Sequence, residues 1–258
     1  MYPVLFTVGG FPVRAYGVAI ILALCLALWV ASRLARQQGH NWAGQLEDLV
    51  AWVLLGGVIG ARIWEVAFSI EEYRHAPLHA LAIWHGGLSI QGAIAGGLIT
   101  ALWFARRRRI LVWPLLDTLA PAVVLAQGVG RLTACVLNGD AYGRPTGTAF
   151  GIVYPPGSPA YMAFGPQPLW PAEIFEGLWD LAVFALLLWM LRKQAKPGSV
   201  VLWYALLYSA GRFGLEFLRG DSLMVGGLKA AQVTSVIIAL VTAAWLLLRR
   251  RALAGTAR

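Results

Sequence analysis

Seven apolar runs, each near the length that crosses a bilayer, constrain this chain more than any motif in it. They cover about 15–32, 49–69, 84–104, 112–136, 173–192, 199–217 and 228–248. In hydrocarbon a backbone segment satisfies its own N–H and C=O groups, which leaves helices as the solution for runs of this kind. Composition agrees. The chain is 59% hydrophobic and 13% charged, against about a quarter charged in soluble domains. Twelve tryptophans suit the aromatic belts at lipid–water interfaces. The expectation is an all-α polytopic membrane protein with seven transmembrane helices, folded as one embedded domain over residues 1–258.

The formal charge of +9 suggests nucleic acid until its distribution is read. Thirteen of the 21 basic residues fall in four groups: Arg33 and Arg36; Arg106 to Arg109; Arg192, Lys193 and Lys196; Arg249 to Arg251 with Arg258. Each group comes after an odd-numbered run. That is the positive-inside pattern, so the N-terminus is expected outside, the C-terminus inside, and no nucleic-acid partner. No basic region precedes the first run, so no cleavable signal peptide is expected. Cys25 and Cys135 both lie in apolar context and suggest neither a disulfide nor a metal site. Cys135 reads as a small apolar residue rather than the carrier of a covalent intermediate.

The remaining basic residues are Arg14, Arg62, Arg74, Arg131, Arg144, Arg212, Arg219 and Lys229. Most fall inside runs or at their outer ends. Charges within spans usually face a bundle interior and mark function. In "GRFGLEFLRGD", Arg212, Glu216 and Arg219 stand at i, i+4 and i+7, on one helix face. Two arginines against one glutamate leave surplus positive charge, which favours an anionic ligand. A buried ion pair that fixes helix register is the plainer alternative. Arg131 adds a third guanidinium, and arginine's planar fork suits phosphate. The segment would then hold a lipid phosphate at the outer leaflet, with acyl tails between helices.

Other polar groups stand at similar depth: Tyr16, Arg62, Glu65, His85, Gln91, Asp117, Asn138, Asp140, Glu173 and Glu176. Asp117 is expected to cap or pair a helix end. Arg62 and Glu65, at i, i+3, are expected to pair. His85 is a candidate acid or base because histidine titrates near neutrality. Gly56 and Gly60, and Gly92 and Gly96, have the spacing that brings helix backbones together. Residues 139–170, rich in Gly, Pro and aromatics, are expected to form a small folded head outside the membrane, between spans four and five.

These segments together resemble the prolipoprotein diacylglyceryl transferase family. The resemblance runs through "VRAYG", "GAR", "WHGGLSIQGAIAGG", "LDTLAPAVVLAQGVGR", "NGDAYGRPTG", "PAEIFEG" and "LYSAGRFGLEFLRGD". It implies a bacterial inner-membrane enzyme with a periplasmic N-terminus. Such an enzyme moves a diacylglyceryl group from phosphatidylglycerol to the lipobox cysteine of a preprolipoprotein, with glycerol phosphate as leaving group. It implies no cofactor and no metal. By resemblance Arg131 matches the arginine of the family's signature and Arg212 the essential arginine of the late span, both expected to be catalytic, and Tyr16, Asn138, Gly143, Glu216 and Arg219 fall on family motif positions expected to bind substrate.

The chain also departs from the family pattern. The signature G-R-x-G-N-F-x-N-G-E-x-x-G reads "GRLTACVLNGDAYG" here. One residue is added after Arg131, Cys135 replaces an asparagine, and Asp140 replaces a glutamate. In a regular helix the added residue turns Arg131 by roughly 100° against the segment C-terminal to it; a local bulge would absorb it. Gln91 stands where the family often carries a histidine, and Glu173 and Phe175 replace Gln and Tyr. His85 is then the expected base, with Glu173 and Asp140 behind it. Two rival readings remain: a divergent paralogue with another acceptor or lipid, and a non-enzymatic lipid binder or transporter. Against transport, the chain shows no inverted repeat with broken helices in matching halves.

Overall fold

A computed structural model describes residues 4–9, 11–74, 77–82 and 86–255. The chain forms two compact units, Met1–Ala31 with Leu116–Arg258, and Ser32–Leu115.

The smaller unit is built on two helices, α2 (Leu46–Phe68) and α4 (Ile90–Arg107). A short helix α3 (Ile70–Arg74) and a 3-10 turn at Pro77–Leu81 stand between them in the chain. Glycines set how closely α2 and α4 approach. A Cβ on Gly60 would stand 2.8 Å from the Gly96 Cα, and one on Gly92 would stand 2.9 Å from the Ala61 Cα. The small-residue spacing therefore does what its pattern suggests, backbone-to-backbone packing. Arg62 does not pair with Glu65. Its guanidinium donates to the carbonyls of His79, Ala80, Gly86 and Gly87, and so ties the α2–α4 connection to the helix. Four carbonyl partners at fixed positions use a guanidinium better than one flexible carboxylate.

The larger unit opens with a hairpin of β1 (Val4–Val8) and β2 (Phe11–Arg14). Helix α1 (Ala15–Gln37) comes next, and after the smaller unit α5 (Val112–Gly130). A π-helical turn at Arg131–Cys135 and the short α6 (Val136–Asn138) complete that rod. Next come α7 (Pro159–Phe164), α8 (Ala172–Arg192) and α9 (Ser199–Leu215). The chain ends with a 3-10 turn at Glu216–Leu218, a small hairpin of β3 (Met224–Val225) and β4 (Leu228–Lys229), and α10 (Ala230–Gly255). The hairpins are the departures from an all-α expectation. The first turns at Gly9, whose φ of +57° suits glycine and the tight connection.

Ala120, Val124, Val183, Leu187 and Val200 form a buried apolar core among α5, α8 and α9. Asp117 stitches the same region: its carboxylate accepts from the Gly198 N–H (2.5 Å) and the Val201 N–H (2.8 Å). It therefore caps α9 from another helix, where Gly198 has no side chain to do so. Residues 139–170 do fold on themselves. Tyr154, Ala160 and Leu169 are buried together, with Tyr142, Ile152 and Phe164 against them.

Among the described residues, five helical segments are long and apolar enough to cross a membrane: Ala15–Gln37, Ala43–Phe68, Val112–Asn138, Ala172–Arg192 and Ala230–Leu248. Large apolar side chains such as Ile21, Leu22, Ile63, Ile94, Ile99 and Leu240 stand exposed on them and on α4. Such faces belong in lipid. The chain is a predominantly α-helical membrane protein.

Candidate active site

The "GRLTAC" stretch folds as a π-helical turn over Arg131–Cys135. A π turn takes one more residue than an α turn and makes a single bulge in the rod. Arg131 opens that turn.

Its partner is Glu176, one turn into α8. Arg131 Nη1 lies 2.9 Å from Glu176 Oε2. Arg212, in the last turn of α9, donates from Nη1 to Glu176 Oε1 at 2.5 Å. Arg219 Nη1 donates to both Glu176 oxygens at 3.2 Å. One buried carboxylate thus meets three guanidinium groups. Glu216 adds a second anion, 3.0 Å from Arg212 Nη1 and 4.0 Å from Arg219 Nε. Asp221 adds a third, gripping Arg219 through Nε (2.8 Å) and Nη2 (2.5 Å).

This geometry corrects two expectations. Arg212, Glu216 and Arg219 do not lie on one continuous helix, because α9 ends at Leu215 and a 3-10 turn comes after it. Arg219 sits on extended backbone and bridges Gly143. Lys229 Nζ donates to the carbonyls of Glu216 and Arg219 and holds that turn. The expected surplus of positive charge is also absent: three arginines face Glu176, Glu216 and Asp221. Charge pairing at this depth avoids isolated ions in a low dielectric.

The three arginines are nevertheless unequal. Arg219 is 8% exposed, whereas Arg131 and Arg212 are 23% and 19% exposed. Burial alone would lower the pKa of Arg219, but Glu176 and Asp221 hold it above the usual arginine value. Arg131 and Arg212 each commit only Nη1 to these partners. Their other N–H groups make no hydrogen bond among the described residues. A guanidinium has five donors in a fixed fork, so two forks remain open. Both line a cleft with Glu176, Trp179, Asp180, Tyr208, Gly211 and Leu215. The cleft leaves about 10 Å³ for a water centre, room for one water. Any group larger than a water needs the Glu176 carboxylate or the outward parts of the arginines to move.

The other residues marked in the sequence fall around this cluster in several ways. Asn138 ends α6, with Gly139 in the left-handed conformation beyond it. Its amide donates to Asp140 Oδ2 at 2.6 Å; Asp140 Oδ1 is buried without a partner among the described residues. Tyr16 is within electrostatic range of Cys135, Asp140 and Arg131. Gly143 serves packing: a Cβ there would stand 2.6 Å from the Trp170 Cβ. Glu173 is fully buried and accepts from Tyr154 Oη at 2.5 Å. Burial, then Glu173, pushes the Tyr154 pKa up. Gln91 lies in the other unit and accepts from Ser89 Oγ. His85, the expected base, lies outside the described residues.

Sequence reasoning misses the centre of the site. In the sequence Glu176 is one polar group among ten, and nothing marks Asp180 or Asp221. Glu176 and Asp180 stand at i, i+4 inside an apolar helix, and a pair of carboxylates on one face of a span is the available signal.

A family model described as prolipoprotein diacylglyceryl transferase matches residues 3–248. Among curated relatives, the phosphatidylglycerol–prolipoprotein diacylglyceryl transferase of Synechococcus elongatus is 36% identical over 91% of this chain and 83% of its own length. Those of Nostoc sp. and Gloeobacter violaceus are each 37% identical over 97% of this chain, covering 91% and 94% of their own lengths.

Proposed function

The chain belongs to the prolipoprotein diacylglyceryl transferase family, and from that premise we propose that it transfers a diacylglyceryl group from phosphatidylglycerol to the lipobox cysteine of a preprolipoprotein. The observation that carries this reading to residues is the pair of open guanidinium forks, Arg131 and Arg212, on one cleft inside a membrane protein. The headgroup phosphate sits on those forks. Glu176 and Glu216 aim them, and Arg219, held by Asp221, anchors Glu176. As the glycerol carbon–oxygen bond breaks, charge gathers on the departing glycerol phosphate. Donors already aimed at that charge stabilise the transition state more than the bound lipid.

The same reading extends to topology. Helices α1, α2, α4, α5 with α6, α8, α9 and α10 would each cross the inner membrane. Helices α4 and α9 have 18 and 17 residues, about 27 and 26 Å of rise, at the short end of what spans hydrocarbon. The basic residues after α1, α4 and α8 favour a cytoplasmic position for those ends. The N-terminus and the 139–170 module then face the periplasm.

The test uses purified protein in detergent, phosphatidylglycerol and a synthetic lipobox peptide. Mass spectrometry is expected to find a diacylglyceryl thioether on the peptide, and Arg212→Ala to abolish it. Unmodified peptide beside a working relative would refute the reading.

A further inference from the structure

Asp180 is a carboxylate the mechanism so far leaves idle. It stands one turn below Glu176 on the same face of α8, is 4% exposed, and lines the cleft with Arg131 and Arg212. Yet it makes no ion pair and no hydrogen bond among the described residues. A buried carboxylate without a partner is costly, and proteins keep such groups where chemistry uses them. Packing at its base is close: a Cβ added to Gly128 would lie 3.2 Å from the Asp180 Cβ, so α5 lies against α8 there.

Resting on the transferase reading above, we propose that Asp180 is the catalytic base that takes the proton from the acceptor thiol. In-line displacement sets the constraint. The sulfur approaches the glycerol carbon from the side opposite the phosphate, so its base has to stand in the cleft with a carboxylate that is not already bonded to the arginines that hold the phosphate. Glu176 and Glu216 fail that requirement, since both are bound to those arginines. Asp180 meets it. The groups facing it are Arg131 from the π turn, Glu176 from α8, and Tyr204, Tyr208 and Arg212 from α9.

The step balances within these groups. Asp180 accepts the S–H proton as the thiolate forms the sulfur–carbon bond. The carbon–oxygen bond breaks and its electron pair leaves on glycerol phosphate, whose new charge meets Arg131 and Arg212. The proton then passes to the leaving phosphate monoester, and Asp180 is a carboxylate again.

The test compares a cysteine lipobox peptide with its selenocysteine counterpart, whose selenol ionises at neutral pH without a base. Asp180→Asn is expected to lower kcat with the cysteine peptide about 10²- to 10⁴-fold, with KM for phosphatidylglycerol little changed. The selenocysteine peptide is expected to restore most of that loss, and Asp180→Glu to keep measurable turnover of cysteine. Arg212→Ala should stay inactive with both peptides. Wild-type turnover of cysteine by Asp180→Asn overturns the assignment. So does a folded Asp180→Asn that is equally impaired with both peptides, which would make Asp180 structural. Absence of product from the wild type overturns the transferase reading itself, and this assignment with it.

Discussion

Replacing Arg212 by lysine keeps its charge and removes its fork, which isolates what the geometry contributes. In the structure Nη1 alone serves Glu176 (2.5 Å) and Glu216 (3.0 Å). The remaining N–H groups make no hydrogen bond among the described residues, and Arg212 lines the cleft. A lysine ammonium is a single point on a shorter reach, and the two carboxylates will capture it. The phosphate then loses up to two charge-assisted hydrogen bonds, each worth about 1.5–3 kcal/mol. The retained charge offsets part of this, leaving a loss of about 2–4 kcal/mol, or roughly 30- to 1,000-fold in kcat/KM. Arg219→Lys is the control. Its donors are spent on Asp221 and Glu176, so the expected loss in rate is smaller than for Arg212→Lys and falls mainly on stability. Both variants can be assayed with phosphatidylglycerol and lipobox peptide. Arg212→Lys within threefold of wild type, or Arg219→Lys as impaired as Arg212→Lys, would refute the division between open and committed arginines.

Three further predictions concern stability and can be read as thermal unfolding in detergent. Tyr154→Phe leaves the buried Glu173 carboxylate without its donor and should destabilise by about 1–3 kcal/mol, whereas Glu173→Gln, a neutral group at the same place, should be nearly neutral or stabilising; equal losses from both would contradict the assigned hydrogen bond. Because the Tyr154 pKa is raised in the folded state, its contribution is full below the unfolded value near 10 and is lost as pH rises beyond it. Wild type should therefore lose stability on the alkaline side more steeply than Tyr154→Phe. Asp117→Ala removes two bonds to the α9 backbone N–H groups and should cost about 2–4 kcal/mol, with the asparagine variant in between; an unchanged melting temperature would remove Asp117 from that role. Gly60→Leu drives a side chain into the α4 backbone, which cannot yield as a side chain would, and should cost about 3 kcal/mol or more; wild-type melting would show that α2 and α4 are not in backbone contact.

Local composition alone establishes the membrane class, because repeated apolar runs of bilayer-spanning length call for helices in lipid. The sequence by itself determined the α2–α4 contact, since glycine spacing is a local property with a geometric consequence. It also pointed to a local bulge after Arg131, and a π turn stands there. Tertiary structure decided the rest. Glu176 lies far from Arg212 and Arg219 in sequence, and no periodicity announces that α8 carries the counter-ion of all three arginines. Likewise Asp221 and Lys229 act only because α9 stops at Leu215 and the chain turns back. Arg62 has the spacing of half an ion pair at i, i+3, but four carbonyls of a folded connection satisfy it better. The physical reason is common to these cases. Burial of an ion depends on every group within a few ångströms, and that neighbourhood comes from helix packing rather than from spacing along the chain.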